Sequence, residues 1–322
     1  MKRFLTITTV FLLCLLLLLP VTGACRELVA VGQIIGLELR DGSVTVAAID
    51  EEWGQAARDA GIRVGDRILK IDSHPIHTAQ DVRDALAHSK GTVTLNLRRG
   101  KEEWTCSLQP AISEKGPKLG LYLRQGISGV GTVTWYDPDT GTFGALGHGV
   151  NQAGGQLLQI TEGTAFRSAV VAVRKGKAGE PGQLMGGSSL ADTLGVLQKN
   201  TLQGVFGTAN QGFSGRKMET AQWDQIQTGP ATILSTVSGT EVREYSVEIL
   251  KIYPNKSQAG RNFLIRVTDQ ALLDTTGGIV QGMSGSPIIQ YGKLVGAVTH
   301  VLVNDPTTGY GIFIENMLQA AE

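Results

Sequence analysis

Cysteine is scarce, with three in 322 residues, and one of them, Cys14, sits inside an apolar N-terminal run. That leaves Cys25–Cys106 as the pairing an oxidising compartment would permit, and it excludes a disulfide-stapled scaffold. The five histidines and three cysteines fall at no metal-ligand spacing, so the sequence calls for no metal and no other cofactor. Net charge is also missing: 29 basic residues balance 29 acidic ones. Phosphate recognition usually needs a basic face, so a nucleic-acid binder is disfavoured. Aromatic residues are few (6%), and the 42 glycines follow no Gly-X-Y period, which excludes collagen. Abundant glycine with few aromatics fits tight turns, bulges and close backbone approach, and so a mainly β architecture. No internal repeat of fixed period stands out.

What is present begins with Lys2 and Arg3, an apolar run over 4–19, Pro20, and the small residues Thr22, Gly23 and Ala24. This is the layout of an export signal, so residues 1–24 are expected to be a signal peptide or membrane anchor and the chain to cross the cytoplasmic membrane. The run is at the short end for a spanning helix. A lipoprotein reading of Cys25 is disfavoured because Thr22 stands where a lipobox prefers leucine.

Alternating apolar positions at 35–39 and 44–48, joined through Asp41-Gly42, predict two short strands. A helix is expected over 52–59, ending near Gly61, then a turn at Gly65-Asp66 and a strand over 67–71. Thr78 is placed to cap a helix over 79–87 whose Val82, Ala85 and Leu86 share one side, and 92–98 reads as the closing strand. This order, with "AGIRVGDRILKIDSHPI" at its centre, resembles a PDZ domain, with limits expected at 28 and 110. The resemblance implies binding of a C-terminal peptide by addition to a sheet edge, with Ile34, Ile35, Gly36 and Leu37 as the carboxylate-binding loop. The plainer reading of Gly36 is a β-bulge, and that of Asp66 is a turn cap. Residues 101–117, rich in charge, proline and glycine, read as a tether.

From 111 to 322 the texture is one of short strands and glycine turns, which predicts a barrel or sandwich. Within it lies "GGIVQGMSGSPIIQYGKLVGAVTH" over 277–300. A serine hydroxyl attacks only when a base takes its proton, and the tetrahedral intermediate then needs donors for its oxyanion. Glycines around Ser284 allow the tight turn that such donors require, and the string is similar to the nucleophile turn of chymotrypsin-like serine peptidases. That similarity implies oxyanion donors at Gly282 and Ser284. The alternative is an ordinary glycine-rich turn. "ALGHG" places His148 in a small-residue turn of the same region, a side chain suited to proton transfer at neutral pH. His300, at a strand end, is its rival; His74, His77 and His88 read as surface residues of the PDZ region.

With "LGHGV", "GKAGEPGQLMG", "NTLQGVFG" and the block from Gly277 to Leu318, the chain resembles the SpoIVB peptidases across nearly its whole length. The resemblance implies a chymotrypsin-like double β-barrel with His148 as base, Ser284 as nucleophile and Asp269 as acid. Asp269 is close to Ser284 in sequence for such an enzyme, and Asp137, Asp192, Asp224 and Asp274 stay open; a turn residue is its plainer reading. Asn151 and Gln152 stand where the family often carries an aspartate. The activity implied is a regulatory cleavage during sporulation: self-cleavage, then processing of a membrane-bound regulator of an intramembrane protease, leading to a late sporulation sigma factor. The competing readings are a PDZ-based scaffold with an inactive peptidase domain and a general quality-control protease.

Overall fold

The computed structural model describes residues 26–89, 91–114, 116–152, 155–254 and 260–322. The expected signal or anchor segment over 1–24 lies outside the described residues, as does Cys25 and with it the bridge to Cys106. Among the described residues, no helix is long and apolar enough to cross a membrane.

In chain order, β1 (Glu27–Ala30) and the long β2 (Ile34–Ile49) lead to α1 (Gln55–Asp59), β3 (Arg67–Ile71), β4 (His74–Pro75), α2 (Ala79–Ala87), β5 (Val93–Arg99) and β6 (Glu102–Leu108). A small hairpin, β7 (Ala111–Ser113) and β8 (Gly116–Lys118), precedes the equally long β9 (Leu121–Tyr136). Next come β10 (Thr142–Ala145), β11 (Glu162–Arg174), β12 (Gln183–Thr201), β13 (Gly204–Ala209) and β14 (Arg216–Glu219). The last third holds β15 (Gly229–Ser235), β16 (Arg243–Ile252), β17 (Phe263–Val267), α3 (Gln270–Thr276), β18 (Pro287–Gln290), β19 (Lys293–Leu302), β20 (Asp305–Phe313) and α4 (Ile314–Ala321).

The fold is mainly β, with two closed rings and a PDZ unit. β15, β16, β17, β20, β19 and β18 pair in that order into a closed barrel. β9, β10, β13, β12, β11 and β2 also pair in series, and β2 returns to β9, so these strands close a ring of their own, the first barrel in chain order, with β15–β20 as the second. Inward positions alternate along these strands as half-buried sheets require; in β17, for example, Phe263, Ile265 and Val267 are buried and Arg266 is exposed.

β2 and β9 are shared between the first ring and the PDZ unit. Residues 34–39 of β2 pair with 127–132 of β9 on one edge and with 35–40 facing 162–167 of β11 on the other. Beyond a register break between Leu39 and Val44, the same two strands pair again, Val44 with Gln125 through Ile49 with Leu121. This second stretch starts the PDZ unit, whose core runs from Val44 through Ile68, Leu86 and Leu95 to Leu119, with Leu123 packed against it. The PDZ unit is thus an insertion into a hairpin of the first barrel. The limits expected at 28 and 110 are corrected: residues 28–39 build the barrels, and β7, β8 and the first part of β9 belong with the PDZ unit. Residues 101–117 are no tether, since β6 pairs with β5 along its length and β7 with β8.

Within the PDZ unit, α2 starts at a capping box in which Thr78 accepts from the Asp81 amide and Asp81 accepts from that of Thr78. Asp66, fully buried, accepts from the Arg63 amide at 2.8 Å and from the Arg99 guanidinium at 2.7 and 2.8 Å. Burial works against its charge, but the Arg99 and Arg63 bonds outweigh it and hold the carboxyl below its ordinary range.

Candidate active site

Ser284 sits on a turn that both barrels clamp. From β9, the Thr132 amide donates to the Ser284 carbonyl at 2.9 Å, the Thr132 hydroxyl to the Gly282 carbonyl at 2.8 Å, and the Thr134 hydroxyl to the Gly285 carbonyl at 2.7 Å. From β19, the Val298 carbonyl accepts the Gly285 amide at 2.7 Å. Gly285 has φ +97°, and a Cβ there would stand 2.0 Å from the Thr132 carbonyl oxygen, so only glycine lets β9 come this close. Within the turn, Met283 donates to Val280 and Ser286 to Met283. The amides of Gly282 and Ser284 have no acceptor among the described residues. Those are the two donors expected of an oxyanion hole.

His148 follows β10 and lines, with Ser284 and His300, one cavity of about 390 Å³ between the barrels. The small neighbours of His148 have a packing reason: a Cβ on Gly149 would lie 2.4 Å from Leu157 and 2.6 Å from the Thr201 carbonyl. Nδ1 of His148 lies 3.0 Å from the Gly149 carbonyl. A proton on Nδ1 satisfies that carbonyl and leaves Nε2 with a free lone pair, the tautomer a general base needs. Burial lowers the pKa of His148 below its ordinary value of 6.5, while the Gly149 carbonyl pulls the other way. The His148 and His300 rings lie 5.0 Å apart, centre to centre, tilted by 36°. Burial first, then the charges of His148 and Arg261, bring His300 down to about 4, so it is neutral near pH 7. Its Nδ1 is buried without a hydrogen-bond partner. Ser284 Oγ donates to the Thr299 carbonyl at 2.8 Å, so a serine acting as nucleophile here would first have to turn its hydroxyl from Thr299 toward His148.

Asp269 does not join this group. It is the N-cap of α3, where its Oδ1 accepts the Leu272 amide at 3.0 Å and its Oδ2 the Ser246 amide at 3.3 Å. No hydrogen bond links it to His148. The turn-residue reading fits and the acid assignment is corrected: a carboxylate beside the first turn of a helix satisfies orphan amides there. Three of the other aspartates are likewise engaged elsewhere, and Asp224 is exposed in the 3₁₀ turn Trp223–Gln225. Asp137 pairs with Arg26 at 2.9 Å, Asp192 with Arg167 at 2.7 Å, and Asp274 accepts from Gln270. The Gly149 carbonyl is the group found at Nδ1 of His148.

Ile34, Ile35, Gly36 and Leu37, expected in the carboxylate-binding loop, are in the barrel stretch of β2. All four are buried, and 35–37 are paired on both strand edges, so no free amides remain to receive a carboxylate. The alternation of Ile35, Leu37 and Leu39 serves the first-barrel core with Val133, Phe143 and Leu197, while Ile34 reaches the other core. Sequence reasoning missed Thr132 and Thr134, whose "GTVTW" string gives no local sign of a role. It also missed Asn200, which binds both Val150 backbone groups, at 2.9 and 2.8 Å, and the Leu158 carbonyl at 2.8 Å, fixing the loop after His148. Asn200 opens the "NTLQGVFG" string, which was its available signal.

Two family models match the chain: "SpoIVB peptidase S55" over residues 115–318 and "PDZ domain" over 52–99. Among curated relatives, a Clostridium perfringens protein described as a zinc metalloprotease is 37% identical over 83 residues, 26% of this chain and 25% of that one. One from Agrobacterium fabrum, similarly described, is 30% identical over 141 residues, 44% of this chain and 34% of that one. The chain therefore spans a quarter to a third of these relatives. It contains no His-Glu-x-x-His string. Among the described residues, no group of three or more His, Cys, Asp or Glu could hold a metal. Among solved structures, the PDZ domain of an SdrC-like protein of Listeria monocytogenes is 27% identical, covering 25% of this chain and 85% of that one, at a TM-score of 0.22. The protease Rv3671c of M. tuberculosis, in its inactive form, is 13% identical, covering 59% and 82%, at a TM-score of 0.35.

Proposed function

Because the chain belongs to the SpoIVB peptidase family, we propose that it is an exported serine endopeptidase making a regulatory cleavage during sporulation. It cuts itself and then a membrane-bound regulator of an intramembrane protease, and a late sporulation sigma factor becomes active as a result. The observation that carries the chemistry is the cavity shared by Ser284 and His148 beside two unoccupied amides. His148 Nε2 takes the Ser284 Oγ proton as Oγ bonds to the substrate carbonyl carbon. The carbonyl oxygen, now an anion, accepts from the Gly282 and Ser284 amides. The His148 imidazolium then gives its proton to the leaving nitrogen as the C–N bond breaks, and water repeats the sequence to release the acid. The test compares self-cleavage of the purified protein with that of Ser284→Ala, and late sigma-factor activity in cells carrying either form. Processing by the Ser284→Ala protein would end this reading.

The PDZ unit docks a C-terminal peptide in this scheme. The edge that supports docking is the PDZ stretch of β9: residues 121–125 pair with β2 on one side and, among the described residues, with no strand on the other. α2 is a neighbouring element. Titrating a C-terminal peptide while following backbone amide resonances should shift those of 121–125 most. Largest shifts elsewhere would remove the edge from the model.

A further inference from the structure

We propose that the pocket beside Ser284 selects an uncharged aliphatic side chain on the acyl side of the scissile bond, with Ile279 setting the pocket's depth. The inference rests on Ser284 being the nucleophile. With the carbonyl carbon at Oγ and its oxygen on the Gly282 and Ser284 amides, the side chain of the acyl residue enters the adjoining cavity. The second barrel supplies Ile279, Val280 and Val301 to its lining, and the first supplies Leu37, Ile127 and Val130. Among the described residues, no Asp, Glu, Lys or Arg lines it. Its two imidazoles add no fixed charge, since His300 titrates at about 4 and burial lowers His148 too. A charged side chain entering here would give up water and meet no partner, whereas an aliphatic one exchanges water for Ile, Val and Leu.

Depth follows from Gly309 on β20. A Cβ at that position would stand 2.6 Å from the Ile279 Cδ1, so the bare backbone of Gly309 is what Ile279 rests against. Ile279 is 2% exposed. Its side chain therefore fills the space next to β20 that a larger incoming residue would need, favouring branched aliphatic residues over aromatic ones.

The experiment uses the full chain and a peptide series differing only at the acyl-side residue: Val, Leu, Phe, Lys and Glu. Labelling of Ser284 by a small fluorophosphonate, with Ser284→Ala as control, reports separately on the nucleophile. In the natural protein, kcat/KM for Val and Leu should exceed that for Lys and Glu by about 100-fold or more. Ile279→Ala should raise the Phe-to-Val ratio about tenfold. Val301→Asp, at a half-buried position, should bring Lys to within about tenfold of Leu, and it carries the test if Ile279→Ala fails to fold. Lys or Glu cleaved as well as Leu by a labelled natural protein would overturn the selection. So would a labelled Ile279→Ala with an unchanged Phe-to-Val ratio, or a labelled Val301→Asp that still rejects Lys. If Ser284 does not label at all, the nucleophile assignment falls, and this inference falls with it.

Discussion

Replacing Asp269 with asparagine separates two roles that differ by orders of magnitude. As a triad acid, the carboxylate would fix the tautomer of the base, and its amide would cost about 10⁴ in kcat, or about 5.5 kcal/mol of barrier. As the N-cap of α3 it supplies an oxygen to Leu272, and an asparagine oxygen caps almost equally well. What asparagine loses is the weaker bond at Oδ2, where an NH₂ group would face the Ser246 amide at 3.3 Å, a loss of about 0.5–1 kcal/mol. Asp269→Asn should therefore keep its rate within about threefold and melt only about 1–4 °C lower. Asp269→Ala loses both bonds, about 1–2 kcal/mol, and should melt lower still while keeping its chemistry. Ester hydrolysis under single-turnover conditions, paired with a thermal melt, reads both quantities. A rate loss of about 10³ or more in Asp269→Asn with an unchanged melt would refute the cap assignment and restore the aspartate to catalysis.

Ser284→Ala and His148→Ala should each lose about 10⁶ in kcat, and the double variant should be no slower than either, because the two side chains act as one unit. The acid limb of kcat/KM should fall below pH 6.5, since burial lowers His148; a midpoint at or above 6.5 would contradict its burial. For His300, the folded state binds its proton only near pH 4 and the unfolded state near 6.5. Stability attributable to this residue is thus full above about 6.5 and is lost as pH falls toward 4, so His300→Gln should flatten the melting temperature across that window. Asp66→Ala, which removes the buried acceptor of the Arg63 amide and of Arg99 in the PDZ unit, should cost about 2–3 kcal/mol by denaturant unfolding, and a loss under about 0.5 kcal/mol would mean these bonds are idle.

What could be read from the sequence was what is decided locally. The helix over 79–87 depends on Thr78 and Asp81 a few residues apart, and the structure forms it over the same span. The Ser284 turn was equally readable, because its glycines act within a handful of residues. The destination of 34–39 was not. "IIGLEL" alternates correctly for either sheet, and the choice is made by partners at 127–132 and 162–167 that no local pattern announces. Asp269 misled for a different reason: the family resemblance put it forward as the acid although its place along the chain spoke against it, and its neighbours Leu272 and Ser246 hold it at a helix start.

The shared strands also bear on how the chain folds. Leu39 and Ile127 are ladder partners in the first barrel, with the PDZ unit between them in the chain. Closing so long a loop directly carries an entropic cost that grows with the logarithm of its length. If the inserted unit folds first, its own pairing of Val44 with Gln125 already holds the two strand ends in register. The remaining step is then the extension of an existing hairpin, a relief of roughly 2–3 kcal/mol for a loop shortened from about ninety residues to about five. The PDZ unit thereby acts as a splint for a barrel it does not line. A variant that weakens its core, such as Leu95→Ala, should slow barrel formation even though no barrel contact has been removed.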